Sequence, residues 1–235
     1  MERVQLYARI REETRIRAQL ERFFSPQVVE LILKESQLSP DLLLPPRRVE
    51  GTFLFADIQG FSLLAERLEP GEVAELLRDY FTVMTEVIFE HQGTVDKYIG
   101  DCLLAVFGVP FPYEDHPERA VTCALEILAR HREFVTARDE RKRFHIRVGI
   151  NTGEADAGYI GSPRRLEYTV LGEAVIVAER LQSFAEPDQI YIGRRTYERI
   201  RGRFPVTFLG RFAPKGGKEI EVYRVEVERV GGIKG

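Results

Sequence analysis

Two aspartates in this 235-residue chain stand where carboxylates could do chemistry. Asp57 ends the apolar run FLFAD and is followed at once by Ile58-Gln59-Gly60-Phe61-Ser62 and a helix. A carboxylate at a strand end, beside backbone amides and a helix N-terminus, is a place where a metal ion and a polyphosphate can meet. Taken alone, Asp57 reads better as a helix cap. Asp101 lies at the tip of KYIGDCLLAVFG, where an Asp after Gly is also ordinary turn chemistry. If the strands bearing the two residues are sheet neighbours, both carboxylates converge on one edge and can bridge two magnesium ions. Such a pair suits triphosphates: one ion lowers the pKa of an attacking hydroxyl, the other neutralises charge on the phosphates and the leaving group.

The elements that must hold these residues follow from periodicity. VEGTFLFAD reads as a strand, and 70–91 as a long helix opened by Pro70. GTVDKY and CLLAVFG form a hairpin around a tight Ile99-Gly100-Asp101 turn. A helix over 115–133, a strand FHIRVGINTG, a helix over 172–186, the short strand QIYIG, and closing strands over 204–212 and 219–228 complete the pattern. Strand-helix-strand-strand-helix-strand predicts an α+β fold with a ferredoxin-like βαββαβ core, a C-terminal strand extension and N-terminal helices. Ahead of it, residues 1–24 carry a thin apolar stripe that cannot make a core, and read as a signalling helix or coiled-coil end. Ser25-Pro26 restarts a helix with Val28, Val29, Leu31, Ile32 and Leu33 on one face, and SPDLLLPPRR is a linker. Residues 1–48 are thus expected to be a transmitter and linker, and 49–230 the catalytic domain.

Composition narrows the function. With 34 basic and 37 acidic residues the net charge is -3, which argues against holding nucleic acid by bulk electrostatics. Only Lys34, Lys97, Lys142, Lys215, Lys218 and Lys234 are lysines in an Arg-dominated chain, so each lysine draws attention. Cys102 and Cys123 are too few for a disulfide framework or zinc site and read as buried thiols, which fits a reducing cytoplasm. No run approaches the length of a membrane span, so a membrane anchor or upstream sensor is expected only in a longer parent chain. His91, His116, His131 and His145 show no ligand spacing and read as surface or helix-end residues.

Over about residues 49–227 the chain resembles the catalytic domain of class III adenylate and guanylate cyclases. FADIQGFS (55–62), KYIGDCLLAVFG (97–108), RVGINTGEADAGYIGSPRRLEYTVLGEAV (147–175) and APKGGKEIEVYRV (213–225) carry the resemblance. It implies that Asp57, Asp101 and the backbone carbonyl of Ile58 hold two Mg²⁺ or Mn²⁺ ions. It also implies that the amides around Gly60 and Phe61, with Lys215, cradle the triphosphate, and that Arg180 stabilises charge as the reaction proceeds. By the residues alone, Arg180 would be an exposed helical arginine and Lys215 part of a surface turn.

Purine choice in that family rests on the positions held here by Lys97 and Thr169. A lysine can donate to an adenine ring nitrogen and a threonine hydroxyl can accept from its exocyclic amine, whereas guanine presents the reverse pattern at its six position. The resemblance therefore implies a homodimeric adenylate cyclase acting on ATP. Each site would be shared, with Asp57 and Asp101 of one protomer facing Lys97, Thr169 and Arg180 of the other. Guanylate cyclase is the same-class alternative. One departure stands out: the family has Asn four residues before the Arg, and here that residue is Ile176, which offers no hydrogen bond to the ribose. It motivates a second alternative, a cyclase-like module that binds nucleotide with little turnover.

Overall fold

The run expected as a strand at 49–57 extends over Arg47–Ile58 (β1) in the computed structural model, which describes residues 11, 14–38, 45–162, 164–213 and 217–227. The expected linker therefore ends inside the sheet, because Arg47 and Arg48 already pair with Ala157 and Asp156. Successive strand side chains face opposite ways, and both faces of β1 are covered. Leu54, Ala56 and Ile58 enter one apolar cluster, while Phe53 and Phe55 enter another.

Two helices cover the first face. Helix α3 (Pro70–Glu90) begins with Pro in its first turn and a reciprocal cap between Glu69 and Glu72, and buries Leu76, Tyr80, Met84, Val87 and Ile88 at helical spacing. Helix α4 (His116–Thr136) lies beside it with Ala120, Ala124, Ile127 and Leu128 inward. The other face carries α5 (Glu173–Phe184), with Val175 and Ala178 packed into the cluster of Phe53 and Phe55. Other helices include α1 (Pro26–Leu38), α2 (Phe61–Ala65) and α6 (Arg194–Ile200).

The other strands are β2 (Thr94–Ile99), β3 (Cys102–Phe107), β4 (Ile146–Ser162), β5 (Arg165–Leu171), β6 (Gln189–Gly193), β7 (Val206–Phe212) and β8 (Ile220–Val225). The sheet order is β2-β3-β1-β4-β6-β8-β7, with β5 paired to β4 off this path. Its first part, β2-β3-β1-β4, is the order expected of a βαββαβ core, and β6, β8 and β7 are the extension.

Two differences from the sequence reading bear on the site. The strand expected to stop after FHIRVGINTG continues to Ser162 and turns back as β5, which the reading did not foresee. Two histidines expected at the surface are buried: His116 lies 2.8 Å from the Thr52 hydroxyl, and His131 donates to the Phe144 carbonyl at 3.0 Å. Burial pushes both imidazoles down to about 4.

At the N-terminal side, residues 14–20 are helical and mostly exposed, and residues 1–10 of the expected signalling helix lie outside the described residues. Helix α1 is tied to the sheet through Ser25, whose hydroxyl donates to the Val95 carbonyl at 2.7 Å, and Gln27, whose amide donates to Gly93 at 3.1 Å. Among the described residues no helix is long and apolar enough to cross a membrane.

Candidate active site

Register brings the two aspartates together. β3 runs antiparallel beside β1 with Ala56 opposite Leu103, so Asp57 ends level with Cys102, and the Gly100-Asp101 turn sits at the same sheet edge. Gly100 takes φ 66°, which glycine adopts without steric cost. Burial first, and the neighbouring Asp57 carboxylate second, push the Asp101 carboxyl up to about 6, while the amides of Asp101 and Ile58 pull it the other way. Burial and the same two aspartates push the Cys102 thiol up to about 12.

Negative charge crowded into a partly buried pocket is what a divalent cation relieves, so this carboxylate pair fits a metal. The Ile58 side chain is in the core, leaving only its backbone to serve the site. Among the described residues there is no group of three or more His, Cys, Asp or Glu side chains that could hold an ion. A metal at Asp57 and Asp101 would therefore draw its remaining oxygens from backbone and substrate. Gly60, at φ 68°, opens α2, and a Cβ placed there would meet nothing within 4 Å. The approach to the first-turn amides, which have no intrahelical acceptor, is open at Gly60.

Two residues that the sequence reading passed over touch Asp57. Arg147 is directly opposite Asp57 across β1 and β4, and its guanidinium lies 2.5 Å from Asp57 Oδ2. Its buried Nε has no hydrogen-bond partner among the described residues. Gln182, on the inner face of α5, donates to the same oxygen at 3.0 Å. Its reach depends on Gly149, where a Cβ would fall 2.1 Å from the Gln182 backbone nitrogen. Arg147 opens the quoted RVGINTG run, but its partnership with Asp57 shows only once strand register is known.

On the outer face of the same helix, Ile176 is exposed and Arg180 is half-buried, one turn apart, and Arg180 has no ion-pair partner among the described residues. Lys215 lies outside the described residues. Nearby Lys218 pairs with Glu173 at 3.5 Å, which brings the end of the β7–β8 loop to the start of α5.

Lys97 and Thr169 form a second cluster, between β2 and β5. Lys97 Nζ lies 2.8 Å from Glu167 Oε2, and the Thr169 hydroxyl donates to Asp96 Oδ2 at 2.8 Å. The Lys97–Glu167 pair is the outer one, and it borders a cleft of about 490 Å³ that Phe24, Phe89 and Tyr98 also line. Thr169, 5% exposed, lies deeper. Among the described residues no hydrogen bond or ion pair joins this cluster to Asp57 or Asp101. Burial, opposed by the Thr169 bond and by Lys97, pushes the Asp96 carboxyl up to about 6.

The geometry can be set beside known proteins. The sequence profile described as "Adenylate and Guanylate cyclase catalytic domain" matches residues 46–227. Adenylate cyclase 1 of Rhizobium meliloti is 37% identical over 137 residues, a stretch covering 57% of this chain and 21% of that protein. The chain therefore matches only a small part of that relative's length. The crystal structure of the adenylyl cyclase CyaB from P. aeruginosa superposes with a TM-score of 0.76 at 32% identity, covering 79% of this chain and 98% of that one. That of the guanylyl cyclase Cya2 gives 0.73 at 34% identity, covering 77% and 94%.

Proposed function

This chain belongs to the adenylate and guanylate cyclase catalytic-domain family, and from that premise we propose that it converts ATP into 3′,5′-cyclic AMP and pyrophosphate at sites shared between two copies of itself. The observation that carries the choice of ATP is the Lys97–Thr169 cluster. A cationic donor and a hydroxyl already bonded to a carboxylate are matched to the ring nitrogen and exocyclic amine of adenine. Because Glu167 occupies Lys97, an entering base that is to bond Lys97 must displace Glu167 from it.

Class III cyclases generally use a divalent metal. Held here by Asp57, Asp101 and the Ile58 carbonyl, two Mg²⁺ or Mn²⁺ ions would neutralise phosphate charge and lower the pKa of the ribose 3′-hydroxyl. The chain's own residues do the rest. Amides at Gly60 and Phe61 receive phosphate oxygens, and Arg147, once exchanged off Asp57, is free to meet them. Arg180 is carried on the exposed side of α5 and would complete the partner's site, together with Lys215, by countering charge on the α-phosphate as the hydroxyl attacks and pyrophosphate leaves. The segment before β1 is read as a transmitter from an upstream sensor in a longer parent protein.

Ile176 favours the second reading, a nucleotide-binding module with little turnover. Losing one orienting hydrogen bond costs on the order of ten- to a thousand-fold in rate. Incubation of the chain and its Ile176→Asn variant with ATP and Mn²⁺, with GTP in parallel, separates the readings. Slow cyclic AMP formation is expected, rising about tenfold or more in the variant, with less product from GTP. Dimers of both proteins that give no product at high concentration would refute the enzyme.

A further inference from the structure

Strand β2 is irregular where it carries Lys97. Val95 pairs with Ala105 and Lys97 with Leu104, so Asp96 is an extra residue, a bulge that interrupts the alternation of the strand. Asp96 and Lys97 consequently both meet β5. Asp96 reaches Thr169 and Lys97 reaches Glu167, two residues that share one face of β5. The Asp96 side chain is 4% exposed, and Lys97 Nζ stands 3.7 Å from its Oδ2.

Above about pH 6 the Asp96 carboxyl is ionised, and an ionised carboxylate can only accept hydrogen bonds. The proton of the Thr169 hydroxyl is therefore committed to Asp96, and what Oγ1 has left to offer is lone pairs. We propose that Asp96 is a specificity-determining positioning residue: by holding the Thr169 proton it makes Thr169 an acceptor, matched to an amine at the six position of a purine and mismatched to a carbonyl there. The proposal rests on the reading that Lys97 and Thr169 face the base. It adds a residue that does not itself touch the nucleotide.

The test uses the full chain with Asp96→Asn, Thr169→Val and the double variant, measuring kcat/KM for ATP and for GTP and checking each fold by thermal melting. Asparagine keeps the shape but brings an NH₂ that donates to Oγ1, releasing the threonine proton toward a carbonyl. Wherever the wild-type ratio lies, Asp96→Asn is expected to move ATP:GTP about tenfold toward GTP, and to leave it unmoved in the Thr169→Val background. Equal loss on both nucleotides would indicate a merely structural Asp96 and overturn the proposal. So would an equal shift with and without the hydroxyl. A wild type that prefers GTP would sink the adenine reading alone, because the direction of the Asp96→Asn shift is still read. A wild type that turns over neither nucleotide would sink the enzyme reading. The same ratio would then come from Kd values of fluorescent ATP and GTP analogues, and a ratio that ignores Asp96 overturns the proposal there too.

Discussion

Burial beside Asp57 pushes the Asp101 carboxyl up to about 6, an electrostatic tension that a bound cation would relieve. Asp101→Asn removes one charge of the pair while preserving its shape. We expect cyclic AMP formation in an ATP assay to fall about a thousandfold, with the melting temperature held or raised. Asp96 gives a prediction of the opposite kind, about pH. Its carboxyl is raised from 3.8 to about 6, so the folded chain binds that proton more tightly than the unfolded chain does. Stability from this group is therefore greatest below about 4 and is lost as the pH rises toward 6. An Asp96→Asn chain cannot ionise there and should be more stable than the wild type by up to about 3 kcal/mol above pH 6, converging with it near pH 4. Denaturant melts across that range check it. His116 and His131 act in the other direction, since burial lowers both, and stability is lost as the pH falls from 6.5 toward about 4. That loss is common to both proteins and cancels in the comparison.

One helix carries residues assigned to the candidate site on both of its faces. The inner face of α5 brings Gln182 to Asp57, and its outer face carries Ile176 and Arg180. The inner contact exists only because β4 has no side chain at Gly149, where a methyl group would lie 2.1 Å from one backbone atom of α5 and 2.4 Å from another. Gly149→Ala is therefore expected to push the helix away, costing about 3 kcal/mol and loosening the Asp57 contact. A lower denaturation midpoint together with weaker Mn²⁺ binding would register both effects. The helix was legible in GEAVIVAERL, and so was the spacing of Ile176 and Arg180. The role of Gly149 was not, because a close approach between elements leaves no periodic trace. The β4–β5 arm escaped for a related reason. Its polar, glycine-containing sequence lies beyond the central sheet, where no continuous apolar run marks a strand.

In the whole molecule, Asp57 and Asp101 form one cluster and Lys97 and Thr169 another, with Arg180 facing outward. If two copies share each site, an Asp57→Asn chain and an Arg180→Ala chain should each be nearly inactive alone. Mixed in equal amounts, they should recover roughly a quarter of wild-type activity, since half the dimers would hold one intact site; an activity titration of the mixture measures this. No recovery in mixed dimers would place the whole site in one chain. Asp57 and Asp101 could be picked out from strand period and turn chemistry, which are local along the chain, whereas Lys97, Thr169 and Arg180 were named only because the motifs resemble those of a known family. The βαββαβ order followed from local periodicity as well. Only the tertiary structure decided that Arg147 and Gln182 hold Asp57, that Asp96 bulges toward Thr169, and that His116 and His131 are buried. Those facts depend on register between strands and on how closely a helix approaches a sheet. Both are set by contacts between residues far apart in sequence, which no local pattern encodes.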